Sequence, residues 1–180
     1  MKISLNWLKD YVDLDGIDIK KLWYRFTMSA AEVEEIEFMG QDIQNVVVGK
    51  VLSVVPHPES KKLKIAQVDS GDGILQVVCG APNVTEGISV PLAKIGGSVK
   101  KLPKLEKVKL AGVESSGMLC SAQELGISDD HSGLLILDGN HTPGTDIKSI
   151  IDIDDVIVEI DNKSLTNRPD LWGHYGIARE

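Results

Sequence analysis

The sequence predicts an α+β frame with a five-stranded β-barrel inserted into it. Three observations carry that prediction: where the aromatic residues fall, the periodicity at the two ends, and the run of short strands between them. Trp7, Tyr11, Trp23, Tyr24, Phe26 and Phe38 come early, Trp172 and Tyr175 come late, and no Phe, Tyr or Trp stands between Met39 and Leu171. Regions with such different core chemistry are expected to build separate cores. The aromatic ends are therefore read as one discontinuous domain, residues 1–39 plus 152–180, and residues 40–151 as an insertion.

In the frame, Ser4 is placed to cap a short helix carrying Leu5, Leu8 and Val12 on one side. Asp18 caps a second, with Ile19, Leu22, Trp23 and Phe26 near helical spacing. Residues Val33 to Phe38 alternate with one irregular step and read as a half-buried strand, for which Val156-Ile157-Val158-Glu159-Ile160 is the natural sheet partner. Asn167-Arg168-Pro169-Asp170 reads as a turn, with Asp170 capping a helix from Leu171. Ile177-Ala178-Arg179-Glu180 continues that helical pattern without a capping signal, so the chain is expected to be cut from a longer protein.

The insertion is strands and turns. Val46–Val55 is an apolar strand broken by Gly49 and ended by Pro56-His57-Pro58, since proline has no ladder donor. Leu63–Val68 and Ile74–Cys79 flank Asp69-Ser70-Gly71-Asp72-Gly73 as a hairpin. Ile88–Ile95, Lys107–Leu110 and Leu134–Leu137 are further strand candidates. Ser121–Leu125, closed by Gly126, is the one helix. Short strands at close spacing with one short helix fit a barrel of the five-stranded oligonucleotide-binding (OB) type.

Composition excludes several classes. With 42% hydrophobic and 26% charged residues and a mean hydropathy of −0.02, the chain is an ordinary globular one. No apolar run approaches the ~20 residues that span a bilayer, and the opening is not a signal peptide. Cys79 and Cys120 fit buried thiols in a reducing compartment better than a disulfide framework, so the cytoplasm is the expected location.

The net charge of −8 argues against a polyanionic partner, but the average hides a division. Residues 50–109 hold ten lysines against five acids, and only this region has the sign to steer a polyanion. The candidate contacts are Lys61, Lys62 and Lys64 after His57-Pro58, and a second group of Lys94, Lys100, Lys101, Lys104, Lys107 and Lys109. The plainer reading of each is a solvated face or a lysine-guarded sheet edge. Without aromatics, the barrel cannot stack bases for the ~1–3 kcal/mol each that such stacking supplies. Binding would then be electrostatic, salt-sensitive and poor in sequence discrimination.

Other constellations are weaker. His57, Cys79, Cys120 and His131 match no compact metal-ligand spacing. Ser121 lacks a nucleophile elbow and reads as a helix cap. Gly80 and Gly117 read as sites of close backbone approach. Asn167, Arg168 and Asp170 serve either an interface or a locked turn, with Arg168 paired to a nearby acid.

Three motifs carry a family resemblance. His57-Pro58-Glu59-Ser60-Lys61-Lys62-Leu63, followed by Gln67-Val68-Asp69 and Val77-Val78-Cys79-Gly80-Ala81-Pro82-Asn83-Val84, resembles the signature of a tRNA-binding OB-domain family. Gly112-Val113-Glu114-Ser115-Ser116-Gly117-Met118-Leu119-Cys120-Ser121, running into Glu124-Leu125-Gly126, is similar to its second half. Asn167-Arg168-Pro169-Asp170 with Gly176–Glu180, and the opening Met1–Leu8, resemble the first domain of the β subunit of bacterial phenylalanine–tRNA ligases. That resemblance implies a tRNA-binding barrel inserted in the first domain of a heterotetramer that attaches phenylalanine to tRNA with ATP and magnesium. It implies tRNA, the α subunit and the rest of the β subunit as partners, with no membrane. Catalysis, editing and anticodon reading would lie elsewhere, so no catalytic residue, cofactor or metal is expected in this fragment. The alternative is a structural or protein–protein module with little tRNA contact.

Overall fold

The computed structural model describes residues Met1–Glu180. In chain order the elements are β1 (Lys2–Ser4), α1 (Leu5–Leu8), α2 (Ile19–Ser29), β2 (Val33–Phe38), β3 (Gln44–His57), β4 (Ser60–Asp69), β5 (Ile74–Cys79), β6 (Ser89–Ser98), β7 (Val108–Leu110), β8 (Val113–Ser115), β9 (Gly117–Leu119), β10 (Val156–Ile160) and α3 (His174–Arg179). The protein is mostly β with few helices, none long and apolar enough to cross a membrane. It divides into two compact units, Met1–Met39 with Asp154–Glu180, and Gly40–Ile153.

The first unit holds a three-stranded antiparallel sheet in the order β1-β10-β2, with a register shift between Glu159 and Ile160. Both expected helix caps form. Ser4 Oγ accepts from the Trp7 N–H and donates to Asp155, and Asp18 Oδ1 accepts from the N–H groups of Lys20 and Lys21. These caps satisfy donors that have no partner inside the helix. Helix α1 is a single turn, so Val12 lies beyond it. Trp23 sits edge-on to Phe26 in the core at 5.5 Å, while Trp7 stacks on His174 at 4.1 Å and Tyr11 meets Tyr175 edge-on.

Asp170 does not cap a helix, contrary to the expectation from sequence. Pro169–Leu171 is a 3-10 turn, and α3 starts after Gly173 without a side-chain cap. The Asp170 carboxylate is occupied by cations instead: Arg168 donates to both of its oxygens at 3.0 and 2.9 Å, and Arg179 adds a third bond at 2.8 Å. Arg168 also reaches Glu180, which meets the expectation that it pairs with an acid. These bonds hold the Asp170 carboxyl below its ordinary range and raise Arg168. The cluster is exposed, so screening keeps its contribution small.

His174 links β1 to α3, because its Nε2 accepts from the Ser4 N–H at 2.9 Å. Burial holds the imidazole below its usual value, while Asp155 opposes the shift. A histidine lowered in the folded state binds fewer protons than in the unfolded chain. Its contribution is therefore complete above about pH 6.5, the unfolded value, and is lost as the pH falls below it. Fluorescence-monitored unfolding should show the first unit weakening from pH 7 to pH 5, with a flatter profile in His174→Gln.

The second unit is built on a five-stranded antiparallel sheet, β5-β4-β3-β6-β9, with β7 and β8 as a separate ribbon. The sheet is not closed. Strand β9 pairs with β6, and no ladder joins it to β5, which it approaches together with β8. There Ser116 N–H donates to Gln76 O, and Val78 N–H donates to Ser115 Oγ. Strand β3 is buried on both faces over Val46–Val51. Val46 and Val48 face one apolar cluster with Ala93 and Ile147, and Val47 and Val51 face another with Val68 and Leu92. That two-sided burial explains its continuous valine run.

Four local expectations need correction. Strand β3 runs through Pro56 to His57, because Pro56 sits opposite Lys64 beside a register shift where the missing donor is tolerated. Leu134–Leu137 is no strand; it makes two isolated backbone bonds, Leu135 N–H to Cys120 O and Leu137 N–H to Ser89 O. Ser121–Leu125 is a turn, not a helix. The Glu124 carboxylate folds back to accept from the Ser121 N–H, and Glu124 O accepts from Lys100 N–H instead of a following turn. Gly80 is not a close approach: an added Cβ would meet Leu63 at an ordinary 3.5 Å. Gly117 is tighter, at 3.1 Å from Ala93 O.

Both cysteines are free and buried. Burial raises the Cys79 thiol and pushes Cys120 up to about 12, which disfavours the thiolate at both positions.

Candidate nucleic-acid interface

The site forms where two hairpins meet. Strands β3 and β4 are joined through Pro58 and Glu59, and β7 and β8 through Ala111 and Gly112. Ala111 (φ 46°) and Gly112 (φ +83°) both have positive φ, the geometry of a two-residue turn matched to strand twist. His57, only 5% exposed, joins the two hairpins. Its Nδ1 lies 3.1 Å from the Glu59 N–H and accepts from it, so Nε2 carries the proton and donates to Leu110 O at 3.1 Å. A Cβ placed on Gly112 would lie 3.7 Å from a Glu59 carboxylate oxygen, so the two tips are neighbours.

The lysines divide by what already holds them. Lys61 and Lys62 open β4, exposed and without an ion-pair partner. Lys109 is exposed on β7, opposite Glu114 in register, while Lys107 is paired to Glu114 at 3.2 Å. These four lie on the joined hairpins. Lys64 is turned inward, its ammonium donating to Pro82 O and Val84 O. Lys94 is bound to Asp72 at 2.9 Å with its side chain only 19% exposed. The Ser70 hydroxyl and then Lys94 keep the Asp72 carboxyl below its usual value. Lys104 pairs with Glu106. Lys100 and Lys101 follow the end of β6, which pairs with the start of β3, whereas Lys61 and Lys62 follow its end. The structure therefore brings four of the nine together and leaves Lys61, Lys62 and Lys109 there without an ion pair.

Beside the hairpin tip lies an open groove of about 580 Å³, lined by residues from Val54 to Lys64 that include Pro56, His57 and Lys61. No group of three or more His, Cys, Asp or Glu side chains converges to hold a metal ion. In the sequence His57 opens the tRNA-binding signature and matches no metal-ligand spacing, but its bond to Leu110 depends on a partner far along the chain, and no local signal discloses it.

Residues 46–146, which contain both hairpins, match the family described as "Putative tRNA binding domain". The chain belongs to this tRNA-binding-domain family. It is also similar along its whole length to curated phenylalanine–tRNA ligase β subunits. It is 47% identical over 181 residues to that of Anaeromyxobacter dehalogenans and 44% to that of Bordetella parapertussis, covering 22% of each. The Clostridium acetobutylicum subunit is 45% identical, with 23% covered. The resemblance read from the opening residues, the OB signature and Asn167–Asp170 is thus met. The chain spans between a fifth and a quarter of the length of these relatives. Among solved structures, a MetRS-related protein from Pyrococcus horikoshii aligns with 71% of this chain and 94% of its own, at 21% identity and a TM-score of 0.41.

Proposed function

We propose that this chain is a non-catalytic module from the N-terminal part of a phenylalanine–tRNA ligase β subunit, whose second unit gives tRNA an auxiliary contact that ignores base sequence. On this reading residues 40–151 are an OB-type barrel inserted into an α+β first domain, residues 1–39 plus 152–180. The ligase as a whole would charge tRNA with phenylalanine in the cytoplasm, using ATP, Mg²⁺ and its α subunit, with that chemistry outside this chain.

The observation that carries the reading is the cluster of unpaired lysines, Lys61, Lys62 and Lys109, on two hairpins joined by His57. In OB folds the corresponding loops, between the first two strands and the last two, are where oligonucleotides bind. The unit offers no aromatic platform for a base, so contact with phosphates is the chemistry left to it. Titration of the chain into labelled phenylalanine tRNA and a non-cognate tRNA tests this: equal affinities are expected, and strong preference for one tRNA would contradict it.

A second reading has its own support. Val55, Val108 and Leu110 are exposed at 51, 46 and 38% near the same hairpins, a composition suited to a protein partner. A structural role predicts no tRNA binding even at low salt.

A further inference from the structure

We infer that His57 is a positioning residue for polyanion binding: its ring clasps the β3–β4 hairpin to the β7–β8 hairpin so that Lys61, Lys62 and Lys109 act on one phosphate backbone. This inference rests on the tRNA-binding reading and adds to it a residue that touches no ligand.

The geometry is specific. Lys109 precedes Leu110, whose carbonyl receives the Nε2 proton, and Lys61 and Lys62 follow Glu59, whose N–H is received by Nδ1. One neutral imidazole, donating at one nitrogen and accepting at the other, is the shared partner of both lysine-bearing segments. Strands β7 and β8 belong to a separate two-stranded ribbon, not to the five-stranded sheet, and Val108, Lys109 and Leu110 are all exposed. Strand β8 is tied to β5 through Ser115 Oγ and Glu114 O, but β7 is exposed at all three residues, so the buried bond from His57 bears on where Lys109 stands. The 5% exposure of His57 shields that bond from competing water.

Two substitutions separate the two bonds. In His57→Asn the amide oxygen takes the place of Nδ1 and keeps the turn to Glu59, but the side chain is too short to reach Leu110. In His57→Gln the terminal amide reaches the place of Nε2 and keeps the donor to Leu110. The probe is labelled tRNA bound to the 180-residue chain across a salt series, with circular dichroism melting to report the fold. His57→Asn is expected to bind roughly tenfold more weakly at 50 mM salt, with a slope of log affinity against log salt shallower by roughly 0.7–0.9 per lost phosphate contact. His57→Gln is expected to restore both affinity and slope. A further Lys109→Ala replacement should then weaken binding in the Gln background and do nothing in the Asn background. A purely structural role would shift melting without changing the slope.

Unchanged affinity and slope in His57→Asn overturns the clasp while leaving the tRNA-binding reading intact. Absence of binding by the unsubstituted chain at low salt overturns both. If either variant fails to fold, nitrogen NMR of His57 in the unsubstituted chain decides: a protonated Nε2 and bare Nδ1 are expected, and the opposite tautomer overturns the inference.

Discussion

Replacing Lys61, Lys62 and Lys109 together with alanine is expected to weaken tRNA binding by about two orders of magnitude at 0.1 M salt. Each phosphate contact at that concentration is worth roughly 0.7–0.9 logarithmic units through counterion release, and three contacts add accordingly. The contrast with other lysines makes this a test of geometry and not of net charge. Lys94 is bound to Asp72 and Lys64 to two carbonyls, so alanine at those positions removes charge already engaged. A Lys64→Ala, Lys94→Ala pair should bind tRNA within a few-fold of the unsubstituted chain. Losses in proportion to the charge removed, three lysines against two, would show that diffuse charge, not the joined hairpins, governs binding.

Gly176→Ala is expected to unfold much of the first unit. A Cβ there would run into Asp170 O and stand 2.9 Å from Leu171 Cα, both rigid backbone atoms. No rotamer relieves such a clash, so α3 must move away from the 3-10 turn, exposing Ile177 and Leu171. Overpacking of side chains alone costs about 1–3 kcal/mol, and a backbone clash belongs at or above the top of that range. Trp7, Trp23 and Trp172 all lie in this unit, so tryptophan fluorescence reports on it alone. A melting midpoint lowered by roughly 10 °C or more is expected, given about 4–8 °C per kcal/mol for a small domain. A midpoint within 2 °C or so would show that α3 packs differently.

What the sequence disclosed follows from how local each feature is. The caps at Ser4 and Asp18 and the strands at Val33–Phe38, Ile74–Cys79 and Val156–Ile160 are written in a few neighbouring residues, and they form with those bounds. Asp170 and Ser121 misled because their side chains or neighbours found distant partners: Arg179 for the one, Lys100 beside the other. Pro56 misled because a register shift beside it absorbs a missing donor. The candidate interface was half legible. Its charge stood out as ten lysines in one stretch, but which lysines are free depends on carboxylates and carbonyls that only folding brings near. Lys94 meets Asp72 across the turn between β4 and β5, and no spacing rule foretells it. The clasp at His57 was hidden for the same reason.

The most direct measurement is the salt dependence of tRNA binding by the 180-residue chain, followed by anisotropy from about 50 to 200 mM salt. If the joined hairpins meet phosphates through Lys61, Lys62 and Lys109, log affinity should fall linearly with log salt with a slope of roughly −2 to −3, alike for phenylalanine and non-cognate tRNA. Binding that is absent at 50 mM, or that persists unchanged to 200 mM, would contradict electrostatic tRNA binding at this site.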